Sequence, residues 1–255
     1  PGAAEAYRVR CGGRLGRRTW RIVLLDIARF LLSGVCHQFP EHSLAVGGQA
    51  LPLCARCTGT FLGVIVGLLA LWASGQGRRS GLPRGRVWAA LALPVAIWML
   101  DGVNSLAGEV IGHPWLYRPS NLLRLATGTG LGLVVAALLY PTIHYAVGQG
   151  TSDEPVLGHP RHMAAMLLAG VALVAVLWIK PGAPYAVWAM VLAAATVGVL
   201  AIVNSIMIVL IFHKEGTATT WGGAALLAGA GLTAALAELG ALALLRHIIL
   251  GSVSY

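Results

Sequence analysis

Residues 184–212 carry no charged side chain. Nor do residues 58–74 or 162–179, while 87–107, 120–143 and 221–249 hold only Asp101, Arg124 and the pair Glu238 and Arg246 between them. An α-helix rises about 1.5 Å per residue, and the hydrocarbon core of a bilayer is about 30 Å thick, so runs of this length are membrane-spanning segments. Only helices and closed barrels satisfy every backbone hydrogen bond in lipid. The fold class is therefore all-α: a polytopic integral membrane helix bundle of about seven transmembrane helices. Charged residues make up only 11% of the chain and mean hydropathy is +0.77. A soluble domain carries about 25% charged residues, so a water-facing globule of this size is excluded.

The seventh element is residues 19–35, which include Arg21, Asp26 and Arg29. These charges are costly in lipid, so the segment either crosses the membrane shielded by neighbours or lies in the interface. Arginine counting favours crossing. The formal net charge is +9, and the arginines gather between apolar runs, at Arg8 to Arg18 and at Arg78 to Arg86. Clusters of that kind mark the cytoplasmic side and bind anionic lipid head groups. Both clusters fall on one side only if residues 19–35 cross. No nucleic-acid motif accompanies them, so the expected partners are the lipid bilayer and other membrane protein subunits. The expected location is the prokaryotic cytoplasmic (inner) membrane, with a cytoplasmic N-terminus. The chain divides into a basic cytoplasmic tail (1–18), a motif-bearing membrane unit (19–147, helices 1–4) and a C-terminal membrane extension (148–255, helices 5–7). It opens at Pro1, without an initiator methionine, which leaves room for upstream residues or a cleaved signal peptide.

One loop carries the chemistry. Residues 36–57 hold three of the four cysteines: Cys36 beside His37, and Cys54 and Cys57 in a CxxC that leads into an apolar run. In the seven-span arrangement this loop lies outside the membrane, and Cys11 on the other side. Three thiols and an imidazole suit a tetrahedral zinc site with ligands Cys36, His37, Cys54 and Cys57. Arg56, inside the CxxC, favours the thiolates that such a site needs. Glu41, His42 and His113 are spare ligands. Two other chemistries stay open: a structural disulfide, and a redox CxxC whose thiolate is stabilised by the helix N-terminus.

Polar residues in the spans form a second group. Asp101, Asn104, Arg124 and Glu238 all fall toward the cysteine side of their helices. Charges in lipid usually pair, and Asp101 with Arg124 is the expected pair. They either lock two helices together or line a polar cavity that takes a cofactor such as quinone. Gly59, Gly63 and Gly67, at four-residue spacing, form a strip for close helix packing. Pro94 is an expected kink.

Together, Cys36-His37-Gln38, Pro40-Glu41-His42-Ser43 and Pro52-Leu53-Cys54-Ala55-Arg56-Cys57-Thr58-Gly59 with Gly63 resemble the signature of a prokaryotic membrane family of unknown function, domain of unknown function 2085. Asp101-Gly102, Ser120-Asn121 and Arg124-Leu125-Ala126-Thr127-Gly128 are similar to its second half. The likeness covers about residues 30–142. It differs at His42, where the family often has arginine. The resemblance implies a membrane protein, joins the cysteine loop and the Asp101/Arg124 region into one unit, and supplies no reaction. The function read from the chain is that of a non-catalytic subunit of a larger, energy-converting membrane complex, with a metal- or disulfide-bearing cluster. The alternatives are a membrane thiol-disulfide/quinone oxidoreductase and a transporter.

Overall fold

A computed structural model of the chain describes residues 22–147, 151–179, 182–212 and 220–250. The expected basic tail, with Cys11, and residues 19–21 lie outside these. A first helix, α1, covers residues 22–32. Six further helices follow: α2 (Ala55–Ala73), α3 (Arg86–Val110), α4 (Asn121–Val147), α5 (Pro160–Ile179), α6 (Tyr185–Ile211) and α7 (Trp221–Leu250). These six are each long and apolar enough to cross a membrane. The described part of α1 rises only about 16 Å, roughly half a hydrocarbon core. Ile22, Leu24 and Ile27 are exposed on it alongside Asp26 and Arg29, and Ala28 and Leu32 are buried inward.

The chain is not wholly helical. Among the described residues four short strands interrupt it: β1 (Ser43–Val46), β2 (Gln49–Cys54), β3 (Arg79–Gly81) and β4 (Ser152–Pro155). β1 and β2 form an antiparallel hairpin, turned at Gly47 and Gly48, both with positive φ. Glycine adopts that conformation without steric cost. β3 and β4 pair in parallel, fastened by an Arg79–Glu154 ion pair of 2.8 Å. The two small sheets lie at opposite ends of α2. The spacing of residues 36–57 signals a polar loop, and the hairpin in it rests on too few residues to show a period.

The centre of the bundle is the contact of α2 with α4. A Cβ on Gly63 would stand 2.9 Å from the Thr129 carbonyl oxygen, and one on Gly67 2.6 Å from the Ala136 Cβ. Gly128 and Gly132 on α4 return the arrangement, pressed against the backbone carbonyls of Arg56 and Thr60. In lipid no hydrophobic drive brings helices together, so small residues that allow backbone approach supply the packing. The expected glycine strip therefore serves packing. α3 rests chiefly on α4, where Pro94 meets Gly130, and α7 rests chiefly on α6.

Candidate metal centre

The hairpin aims Cys54 at the start of α2. Cys54 is the N-cap residue, and its Sγ accepts from the Cys57 backbone N–H at 3.4 Å. The Cys54 N–H in turn donates to Cys36 Sγ at 3.2 Å. One ligand atom each from Cys36, His37 and Cys54 lies within 4.8 Å of the others. Cys57, one turn into α2, faces Val35 across the same space, its Sγ 4.0 Å from that carbonyl oxygen. None of the three cysteines is in a disulfide. Cys36 and Cys54 are buried and His37 is exposed.

The thiols are not equivalent. Cys54 is held well below the ordinary thiol range, first by hydrogen bonding from Cys36, then by Cys57 and by the nearby His37 charge. Cys36 is pushed up, chiefly because it shares that hydrogen bond with Cys54. A thiolate at a helix N-terminus, flanked by two further thiols, is the donor set a thiophilic cation takes up. Ligands on tetrahedral zinc stand about 3.5 Å apart, so closing the described group around an ion needs a shift of about 1 Å.

Behind His37 stands His42. Its Nδ1 lies 3.1 Å from His37 Nε2 and 3.6 Å from Glu109 Oε1. Burial, followed by the Arg124 charge, lowers the His42 pKa. A neutral His42 that accepts at Nδ1 from His37 Nε2–H orients His37 and leaves the His37 Nδ1 for a metal. Glu41 and His113 are exposed, and neither belongs to the ligand group.

Gln38 folds the loop back. It is a non-glycine residue with φ of 58°, a strained conformation held by its surroundings. Its Nε2 donates to the Arg29 and Pro52 carbonyls, both at 2.9 Å. The glutamine of the Cys-His-Gln triplet is thus the brace between α1 and β2.

The expected Asp101–Arg124 pair does not form. Asp101 is fully buried and pairs with Arg56, which donates from Nε at 3.1 Å and from Nη2. Arg56 Nη2 also reaches Ser105 Oγ at 3.0 Å. Tyr117 and Thr127 hydroxyls donate to the same carboxylate at 2.9 and 3.2 Å. The arginine inside the CxxC therefore points away from the thiols and into the bundle. Helical geometry explains this: Arg56 leaves α2 on the α3 side, while Cys54 and Cys57 face α1. Arg124 instead donates to Asn121 Oδ1 at 3.1 Å, and its buried Nε has no hydrogen-bond partner. Asn121 also donates to the Glu41 and Ser43 carbonyls, at 3.0 and 3.2 Å. Asn104 pins the loop after α3 through the Leu116 N–H and the Tyr117 carbonyl, both at 2.9 Å. Glu238 makes no contact with Asp101, Asn104 or Arg124 among the described hydrogen bonds. It is exposed on α7 and accepts from Asn204 Nδ2 of α6 at 3.1 Å.

Six membrane-length helices, with a thiol and imidazole cluster and a buried Arg–Asp lock at one end, define a polytopic membrane protein organised around its first loop. The family described as "Predicted membrane protein (DUF2085)" matches residues 36–138, from Cys36 to the last turns of α4. An uncharacterized protein of Methanothermobacter thermautotrophicus is 31% identical over 105 residues, covering 41% of this chain and 83% of the relative. An uncharacterized protein of Methanocaldococcus jannaschii is 29% identical over 122 residues, covering 48% of this chain and 71% of the relative. The chain belongs to this family. No solved structure matches it.

Proposed function

We propose that this protein is a non-catalytic subunit of a larger, energy-converting membrane complex. A zinc ion held by Cys36, His37, Cys54 and Cys57 fastens α1 and its following loop to α2. The observation that carries this is the meeting of Cys36, His37 and Cys54 within 4.8 Å across 18 residues of sequence. Cys36, His37 and Cys54 form the group, and Cys57, outside it but one turn away, is the fourth ligand that would close a structural zinc set. Arg78 to Arg86, at the opposite end of α2, put that end in the cytoplasm. The cluster then faces the outer side of a prokaryotic cytoplasmic membrane. The polar residues support a scaffold more than a path: Asp101, Asn104 and Arg124 are committed to internal partners, and Glu238 stands apart from them. That arrangement weakens the transporter reading.

A second reading draws on the position of Cys54. A thiolate at a helix N-cap in a CxxC is also the attacking group of a thiol–disulfide oxidoreductase, with quinone as its oxidant. One experiment separates the two. The zinc reading expects stoichiometric zinc in the purified protein, lost in Cys54→Ser, with thiols in one redox state under oxidising and reducing growth. Absence of metal, with thiols that cycle between growth conditions, favours the oxidoreductase. Purification as a lone, homogeneous monomer contradicts the subunit role.

A further inference from the structure

We propose that the C-terminal helices complete the cysteine and histidine cluster, with Arg246 of α7 as the positioning residue for Cys36 and His37. The guanidinium of Arg246 donates from Nη1 to the Ser33 and Cys36 carbonyls, at 3.1 and 2.9 Å, and from Nη2 to the His37 carbonyl at 2.8 Å. These carbonyls belong to the end of α1 and the first two cluster residues. Ser33 directly follows the negative end of α1, where a cation is favoured, and Cys36 and His37 lie in the loop beyond it. The planar arginine fork holds several carbonyls in a fixed geometry, which the compact, rotatable ammonium of a lysine reproduces only in part.

Two further contacts press the same elements together. A Cβ on Gly34 would stand 2.6 Å from the Leu239 carbonyl oxygen and 3.1 Å from the Ala243 nitrogen, so α1 ends directly against the backbone of α7. Arg29 donates to the Tyr185 hydroxyl of α6 at 3.0 Å, with its guanidinium carbon 5.3 Å from the ring centroid. Tyr185, Leu239, Ala243 and Arg246 all lie beyond residue 138, where the family match ends. The family region thus supplies the thiols and the imidazole, and the extension supplies the clamp. Fixing the carbonyls of Cys36 and His37 fixes the peptide planes on both sides of His37, the first of which is also the plane that follows Cys36. Those planes set where Sγ and the imidazole point.

This inference rests on the zinc reading, and its test has an arm that does not. The full-length protein is prepared as wild type, Arg246→Ala, Arg246→Lys and Glu238→Gln, the last an α7 control away from the cluster. Zinc affinity is read by competition with a chromophoric chelator. Loss of a group that orients a metal ligand typically weakens binding by about 10–100-fold. That loss is expected for Arg246→Ala, a smaller one for Arg246→Lys, and none for Glu238→Gln. In metal-free protein, iodoacetamide alkylation of Cys36 relative to Cys54 is expected to speed up in Arg246→Ala and to be partly restored by lysine. If the wild type takes up no zinc, the metal reading fails and the alkylation ratio alone decides. If Arg246→Ala does not fold, Arg246→Lys and Arg246→Gln decide on the same readouts. Zinc affinity and Cys36 alkylation both equal to wild type overturn the assignment.

Discussion

Asp101 meets Arg56 inside the bundle, and removing either charge strands the other. In Asp101→Asn the Arg56 guanidinium keeps Ser105 but loses its counter-charge. Breaking a buried pair in this way costs about 3–5 kcal/mol. Arg124 cannot relieve the loss, because it is itself a buried cation. The double variant Arg56→Met/Asp101→Leu removes both charges and is expected to cost less than Asp101→Asn alone. Unfolding of the detergent-solubilised protein measures both, and a double variant worse than the single contradicts the pairing. His42 gives a pH dependence. Burial keeps its imidazole neutral, below the ordinary value of 6.5. Below about pH 6.5 the unfolded chain takes up a proton that the folded chain resists, so this stability is present above 6.5 and lost as pH falls. In zinc-free protein the unfolding temperatures of wild type and His42→Gln should differ by a constant amount above pH 7. Below pH 6.5 the wild type should lose ground relative to the variant. A difference that is flat from pH 5 to 8 contradicts the buried neutral imidazole.

At the scale of the helix, the α2–α4 contact is the most demanding element. Gly128→Ala places a methyl group against the Arg56 carbonyl, where only backbone separation makes room. Overpacking of this kind costs about 1–3 kcal/mol, and here it also shifts the arginine that holds Asp101. Gly240→Ala, on α7 with nothing within 4 Å of the added carbon, should be neutral. Equal stability of the two variants contradicts the packing account. The extents of the spans were legible in the chain, because apolar runs between arginine clusters have one physical meaning. Residues 58–74, read as a span, differ from α2 only at the ends. The glycine strip was legible for the same reason, as four-residue spacing puts its members on one face. The hairpin at Ser43–Cys54 was not legible, being too short to display alternation. The partner of Asp101 was misread, because a one-dimensional pattern shows that Arg56 lies between two cysteines but not which face of the helix it leaves by. Arg246 was visible only as a charge near the end of a span; its three carbonyl partners lie more than 200 residues away.

For the whole molecule, the proposed outward-facing cluster makes a labelling prediction. Cys36, Cys54, Asp101, Arg124 and Arg246 gather at one end of the bundle, while Arg79 and Glu154 pair at the other. A cysteine placed at the exposed His113 should react with a membrane-impermeant maleimide from outside intact spheroplasts. One placed at Arg84 should react only after permeabilisation. The reverse pattern contradicts an outward-facing cluster. X-ray absorption at the zinc edge of the purified protein reads the ligands of the proposed ion. Zinc held by Cys36, His37, Cys54 and Cys57 gives a first shell of three sulfurs at about 2.3 Å and one nitrogen at about 2.0 Å. A shell of oxygen and nitrogen, or protein free of zinc with Cys36 disulfide-bonded to Cys54 or Cys57, would contradict it.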